Sequence, residues 1–272
     1  MPFILIKGVF TPQIGEPDGD SVRFRANQKE LLLQLEGRRP NISMSNGTVQ
    51  LRFEGIDAIE KAAIKPLSTQ SREIMLDLIG YDETSQSTPE GYILARMTDD
   101  TSGRPICFVF AGETEQSDGE EIFLDQVLLR DSVNYQQMLR GYAYPLYYNT
   151  LFASLRNELN VALKKAQQEK LGYWKDDRTL EGVTVTDRGD LATIPPIWPK
   201  LWRRLQEYLR SADSLDGFID FLEEKNERID ILSIMEERGL QDIVEVEGNR
   251  VRMIIPPEDI RVVGQAGSRT RR

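Results

Sequence analysis

The stretch VQLRFEGIDAIEK, residues 49–61, decides how this chain is read. Val49, Leu51 and Phe53 alternate with Gln50, Arg52 and Glu54, the period of two of a half-buried strand, so Arg52 faces away from the apolar row. The strand ends near Gly55, and two carboxylates, Asp57 and Glu60, follow it at once. Acidic residues at such a junction are ordinarily turn formers. Their meaning depends on the rest of the chain.

Upstream, FILIKGVF and SVRFRA read as strands on either side of the loop TPQIGEPDGD, where Asp18 and Asp20 straddle a glycine. ELLLQLEG is a third strand candidate, followed by the turn-rich RRPNISMSNG. Downstream, apolar residues recur at helical spacing from Pro66 to Ile79, with Gly80 as the stop. GYILARMT and PICFVFAG resume strand character around the polar turn that carries Arg104. Two helices follow: SVNYQQMLRG, and a longer one from about Thr150 whose leucine and alanine stripe ends near Gly172. Short strands with three helices make an α+β pattern whose strands could close into a small barrel.

Composition narrows the chemistry. The 272 residues are 40% hydrophobic and 29% charged, enough for a well-buried domain and a smaller second one. There is no histidine, which removes imidazole catalysis and His-ligated metals, and Cys107 is the only cysteine, which excludes an intrachain disulfide and thiolate zinc sites. Acid–base work therefore falls to carboxylates, and a metal site would need the oxygen ligands that suit calcium or magnesium. The net charge of −10 argues against sequence-blind binding of a polyanion over the whole surface and leaves room for a local basic cleft. No run approaches the roughly 18 apolar residues of a membrane span, and no signal-like start is seen, so the expected location is cytoplasmic, without membrane contact.

Three short motifs stand in a fixed order: DGDSV at 18–22, RFEGIDAIE at 52–60 and GRPICFVFAG at 103–112. In that order the sequence resembles the staphylococcal nuclease-like (thermonuclease) family, over about residues 3–178, including a Gly-Tyr-Trp ending at 172–174. The resemblance implies a five-stranded OB-fold-type β-barrel with three helices. It implies Asp20 and Asp57 as ligands of one divalent cation, calcium. It implies Arg52, Glu60 and Arg104 as catalytic residues, and DNA or RNA as substrate. Tyr147 falls where the family sets a tyrosine against a nucleobase, with Tyr148 and Tyr144 nearby; the bland alternative is that these are packing aromatics. Ala58 and Ile59 replace a usual threonine and proline, and Thr101 and Ser102 replace an aromatic with a basic neighbour. The first change spares a main-chain carbonyl for the metal, whereas the second weakens the expected grip on substrate. Residues 25–48 form a longer insert than usual beside the cleft.

The resemblance supplies a chemical reason for the spacing in 49–61. Hydrolysis of a phosphodiester gathers negative charge in the transition state. Two arginines can clamp the equatorial oxygens through their planar forks, and a carboxylate just past the strand can take the proton of an attacking water.

Beyond Asp177 the expectation is a linker over 179–195, a small helical domain with a β-hairpin over 196–264, and a disordered tail over 265–272. KLWRRLQEYLRSA, SLDGFIDFLEEK with Ser214 as cap, and RIDILSIMEERG are read as helices, and DIVEVEGNRVRMII as a hairpin turning at Gly248-Asn249. Trp198 and Trp202 are expected to pack onto the neighbouring domain, and the lobe reads either as a winged-helix-like module or as a lobe that docks a protein partner. The alternative to a nuclease is a catalytically weak or inactive domain that serves as a nucleic-acid- or protein-binding scaffold.

Overall fold

A computed structural model describes residues 2–264. The chain is α+β, with a nearly closed, barrel-like sheet of six strands and several helices. In chain order the first half contains β1 (Phe3–Phe10), β2 (Arg23–Ala26), α1 (Lys29–Leu32), β3 (Val49–Gln50), β4 (Arg52–Phe53), β5 (Gly55–Asp57), α2 (Lys65–Leu78), β6 (Glu90–Thr98) and β7 (Pro105–Ala111). Next come β8 (Glu121–Ile122), α3 (Gln126–Arg130), α4 (Val133–Leu139), β9 (Tyr144–Tyr148) and α5 (Ala153–Gln168).

The barrel path runs β3-β2-β1-β6-β7-β4, with β8 added along β1. The quoted stretch is what bends this path back on itself. Val49 and Gln50 pair antiparallel with β2, while Arg52 and Phe53, just beyond Leu51, pair parallel with Ile106 and Cys107 of β7. One continuous segment thus supplies both ends of the path. Val49, Leu51 and Phe53 are fully buried and Gln50 and Arg52 half-buried, as the alternation requires. Glu54 is the exception: it is buried, its N–H bonded to the Cys107 carbonyl.

Two segments fold differently from their sequence reading. ELLLQLEG is not a strand; it contributes to α1 and a following turn, because Leu31, Leu32 and Leu35 are buried while Leu33 is 48% exposed, a helical rather than alternating pattern. RIDILSIMEERG is not a helix but a hairpin, whose Ile229 and Ile231 point inward while Arg228 and Asp230 do not.

The second half contains β10 (Val183–Thr184), α6 (Pro199–Tyr208), α7 (Phe218–Lys225), β11 (Arg228–Ile231), β12 (Glu236–Gly239), β13 (Val244–Glu247), β14 (Arg250–Met253) and β15 (Ile260–Val262). The hairpin β13–β14 turns at Gly248-Asn249, and β10, inside the 179–195 segment, pairs with β14. α7 begins later than its sequence suggests: Gly217 is its N-cap, and the Ser214 hydroxyl bonds the Asp216 carboxylate instead. The expected tail at 265–272 lies outside the described residues.

The C-terminal half is joined to the barrel half by backbone and by core. β15 lies parallel to β9, in a sheet ordered β12-β11-β15-β9-β5, so the strand that ends in Asp57 shares a sheet with C-terminal strands. A second apolar core combines Ile59, Ala63, Tyr144, Leu146 and Tyr173 with Trp198, Leu201, Trp202 and Leu205. The indole N–H of Trp198 donates to the Pro145 carbonyl of β9 at 3.0 Å, and that of Trp202 to Leu191 at 2.9 Å. No helix among the described residues is long and apolar enough to cross a membrane.

Candidate active site

The loop carrying Asp18 and Asp20 is held tightly from below. A Cβ on Gly19 would lie 2.0 Å from the Ser71 hydroxyl and 2.7 Å from Ala58 Cβ, so no larger residue fits between the two carboxylates without movement. The buried Gln137 amide, on α4, donates to the Gly19 carbonyl at 2.8 Å and to Ser71 at 3.0 Å. Asp18 behaves as a turn former, accepting from the Ser21 hydroxyl at 2.6 Å. Asp20 is half-buried and accepts the Ala58 N–H at 3.0 Å, a bond that ties the first motif to the second. Burial, followed by the charges of Asp18 and Asp57, pushes the Asp20 carboxyl well above the usual carboxylate range.

Gly55 explains how the second motif turns. Its φ of +78° belongs to the left-handed region, and it redirects the chain from β4 into β5. β4 then pairs with β7 and β5 with β9, so Arg52 and Asp57 are carried on different sheets and meet across the intervening corner. Glu60 follows in a tight turn closed by the Ala63 N–H on the Glu60 carbonyl, and Ile59 beside it is buried in the second core.

Arg52, Asp20, Asp57, Glu60 and Arg104 line one open cleft of about 720 Å³, with Asp99, Ser102 and Tyr148. Arg52 donates from Nη2 to the Tyr148 hydroxyl at 2.9 Å, and its guanidinium carbon stands 4.8 Å from that ring's centre. Arg104 is braced by Asp99 at 2.9 Å and by the Ser102 hydroxyl at 3.0 Å. Ser102 thus orients the arginine. The 25–48 insert reaches this wall through Arg38, which donates to the Thr101 carbonyl at 2.6 Å.

Tyr147 does not line the cleft. It is 1% exposed and its hydroxyl donates to Asn160 at 2.6 Å, so its ring is a packing element and not a surface for a base. Strand alternation on β9 turns Tyr148 the other way, into the cleft. Tyr144 is also buried, stacked on Tyr173.

The residue that sequence reasoning missed is Arg203. α6 buries Leu201, Trp202 and Leu205 on one side, with its N-cap Trp198 beside them, and the same helical spacing sets Lys200, Arg203 and Arg204 along the cleft. Arg203 donates from Nη1 to Asp57 Oδ1 at 2.9 Å, from Nη2 to Asp57 Oδ2 at 2.7 Å, and from Nη1 to Glu60 Oε1 at 2.9 Å. Burial raises the Glu60 carboxyl above its ordinary value, with Arg203 opposing that effect. The only local signal was the pair of arginines directly after Trp202, which becomes informative once the tryptophans are known to pack on the barrel half.

The divalent cation implied by the family resemblance fits the donor chemistry here. Asp20, Asp57 and Glu60 offer hard carboxylate oxygens, and Asp20 stands beside the negative charges of Asp18 and Asp57 with no salt-bridge partner among the described residues. No group of three or more Asp, Glu or Cys side chains among the described residues stands arranged to hold a metal ion. No protein-family model and no curated protein matches the chain.

Proposed function

We propose that this chain is a calcium-dependent nuclease that hydrolyses phosphodiester bonds of DNA and RNA with little sequence preference, built on an OB-fold-type barrel. The observation that carries this reading is the convergence of Asp20, Arg52, Asp57, Glu60 and Arg104, from separate chain segments, on one open cleft. Two fixed cations and three carboxylates suit a doubly liganded phosphate diester that must gain negative charge to react. In this reading Arg52, steadied by Tyr148, and Arg104, steadied by Asp99 and Ser102, bind the non-bridging oxygens. Glu60 takes a proton from the attacking water as its oxygen bonds phosphorus and the bond to the leaving oxygen breaks. A calcium ion, when bound by Asp20 and Asp57, would neutralise phosphate charge as a Lewis acid. Among the expected aromatics, Tyr148 alone remains to contact a base or sugar.

The test is cleavage of labelled single- and double-stranded DNA and RNA, with calcium or chelator, by the wild type and by Glu60→Gln and Arg104→Ala. Calcium-dependent cutting should fall by about two to four orders of magnitude in each variant. A second reading, a nucleic-acid- or protein-binding scaffold, is favoured by Arg203, which already neutralises the two carboxylates most needed for chemistry. A folded wild type that binds oligonucleotides and cuts none of them would select the scaffold.

A further inference from the structure

Helix α6 brings three cations to the cleft, and they are not satisfied alike. Lys200 and Arg204 are both paired with Glu227, and Arg204 reaches Glu207 as well, so their partners come from their own half of the chain. Arg203 has no such partner. All of its side-chain bonds go to Asp57 and Glu60, on the strand and turn of the barrel half. Between them those two carboxylates have four oxygens, and the single guanidinium occupies three of them. Asp20 next to them receives the Ala58 N–H and, among the described residues, no cationic side chain.

A hard divalent ion would coordinate through these same oxygens. A guanidinium already bonded to both Asp57 oxygens opposes it, because it takes up part of their acceptor capacity and two cations at that distance repel. Arg203 is held in place by those ion pairs and not by the apolar core. Its side chain is one-third exposed, on an open cleft, and its removal breaks no contact of the apolar core that fixes α6. Asp57, by contrast, is only 5% exposed and cannot turn to solvent to find another partner.

We propose that Arg203 is a tethered cation that competes with divalent metal for Asp57, so that the C-terminal half of the chain sets the metal concentration at which the cleft is loaded. This rests on reading Asp20 and Asp57 as the ligands of a divalent cation, with Glu60 beside them. Because the tether is intramolecular, Arg203 is always present at high effective concentration, and calcium must bind against its charge. The consequence is a metal site of low apparent affinity whose ligands are nevertheless intact.

Calcium binding to the full chain, measured by titration calorimetry and by the calcium-induced rise in Tm, tests this in the wild type, Arg203→Gln and Arg204→Gln. Arg203→Gln should bind calcium at least tenfold more tightly than the wild type. Arg204→Gln, which removes the same charge from the same helix but from different carboxylates, should stay within about threefold of wild type, as a rim charge in high dielectric does. Equal affinities in the wild type and Arg203→Gln would overturn the proposal. So would equal tightening in both variants, or no binding in any of the three. Should Arg203→Gln lose its fold by circular dichroism, Arg203→Lys, which keeps the charge but not the two-pronged contact, must show an affinity above wild type or the proposal fails. The two readings separate cleanly. Tighter calcium binding without cleavage by any form keeps the competition and removes the nuclease, whereas calcium-dependent cleavage with unchanged affinity keeps the nuclease and removes the competition.

Discussion

Glu54 shows how a single residue can carry a pH signature. It follows the barrel-closing strand, is 5% exposed, and lies next to the buried Cys107. Burial pushes its carboxyl up to about 7, with Arg52 and Arg96 pulling in the opposite direction. The folded protein therefore holds the Glu54 proton more tightly than the unfolded chain, whose value is near 4.5. The sign follows: this contribution to stability is full below about pH 4.5 and is lost as pH rises through 7. A shift of this size corresponds to roughly 3 kcal/mol across that window. Urea unfolding at pH 5 and pH 8 should show the wild type losing up to about this much more stability than Glu54→Gln. Parallel pH dependence in the two proteins would assign the charge of Glu54 no role.

At the level of elements, the corner between β4 and β5 decides whether arginine and aspartate face the same cleft. Gly55 occupies that corner at positive φ, and a Cβ there would lie 2.7 Å from a Leu159 methyl of α5. Gly55→Ala combines a left-handed backbone penalty with overpacking against the helix, together about 2–4 kcal/mol. The expected result is a lower urea midpoint with an unchanged slope. A loss below about 0.5 kcal/mol would show that the corner relaxes freely. Much of this element was legible in advance: the alternation of Val49, Leu51 and Phe53 and the glycine stop are local properties. The hairpin at 228–239 was not, because Ile231, Ile234 and Met235 also fit a helical spacing, and only pairing of β11 with β15 resolves the ambiguity.

At the level of the whole molecule, the two halves share an apolar core and a sheet, and the carboxylate turn lies between them. Ile59 and Ala63, on either side of Glu60, pack into the same core as Trp198 and Trp202. A chain ending at residue 178 would strip Ile59, Tyr144, Leu146 and Tyr173 of the Trp198, Leu201, Trp202 and Leu205 side of their shared core. Exposing four large side chains of this kind costs about 1.5–3 kcal/mol each, comparable in sum to the stability of an ordinary domain. Such a fragment should lack a cooperative thermal transition and the near-ultraviolet dichroism of packed aromatics. A cooperative melt within about 5 °C of the full chain would show instead that the barrel half stands alone.

The sequence by itself determined the carboxylate and arginine inventory, the absence of imidazole and disulfide chemistry, and the strand that closes the barrel. These depend on residue type and on spacing within a few positions, which is where local physics acts. Only the tertiary structure decided that Tyr147 is buried while Tyr148 faces the cleft, and that Arg203, 146 residues from Asp57, lies on both carboxylates. Those outcomes follow from how α6 is seated by its tryptophans on β9, a long-range packing match that no local pattern encodes.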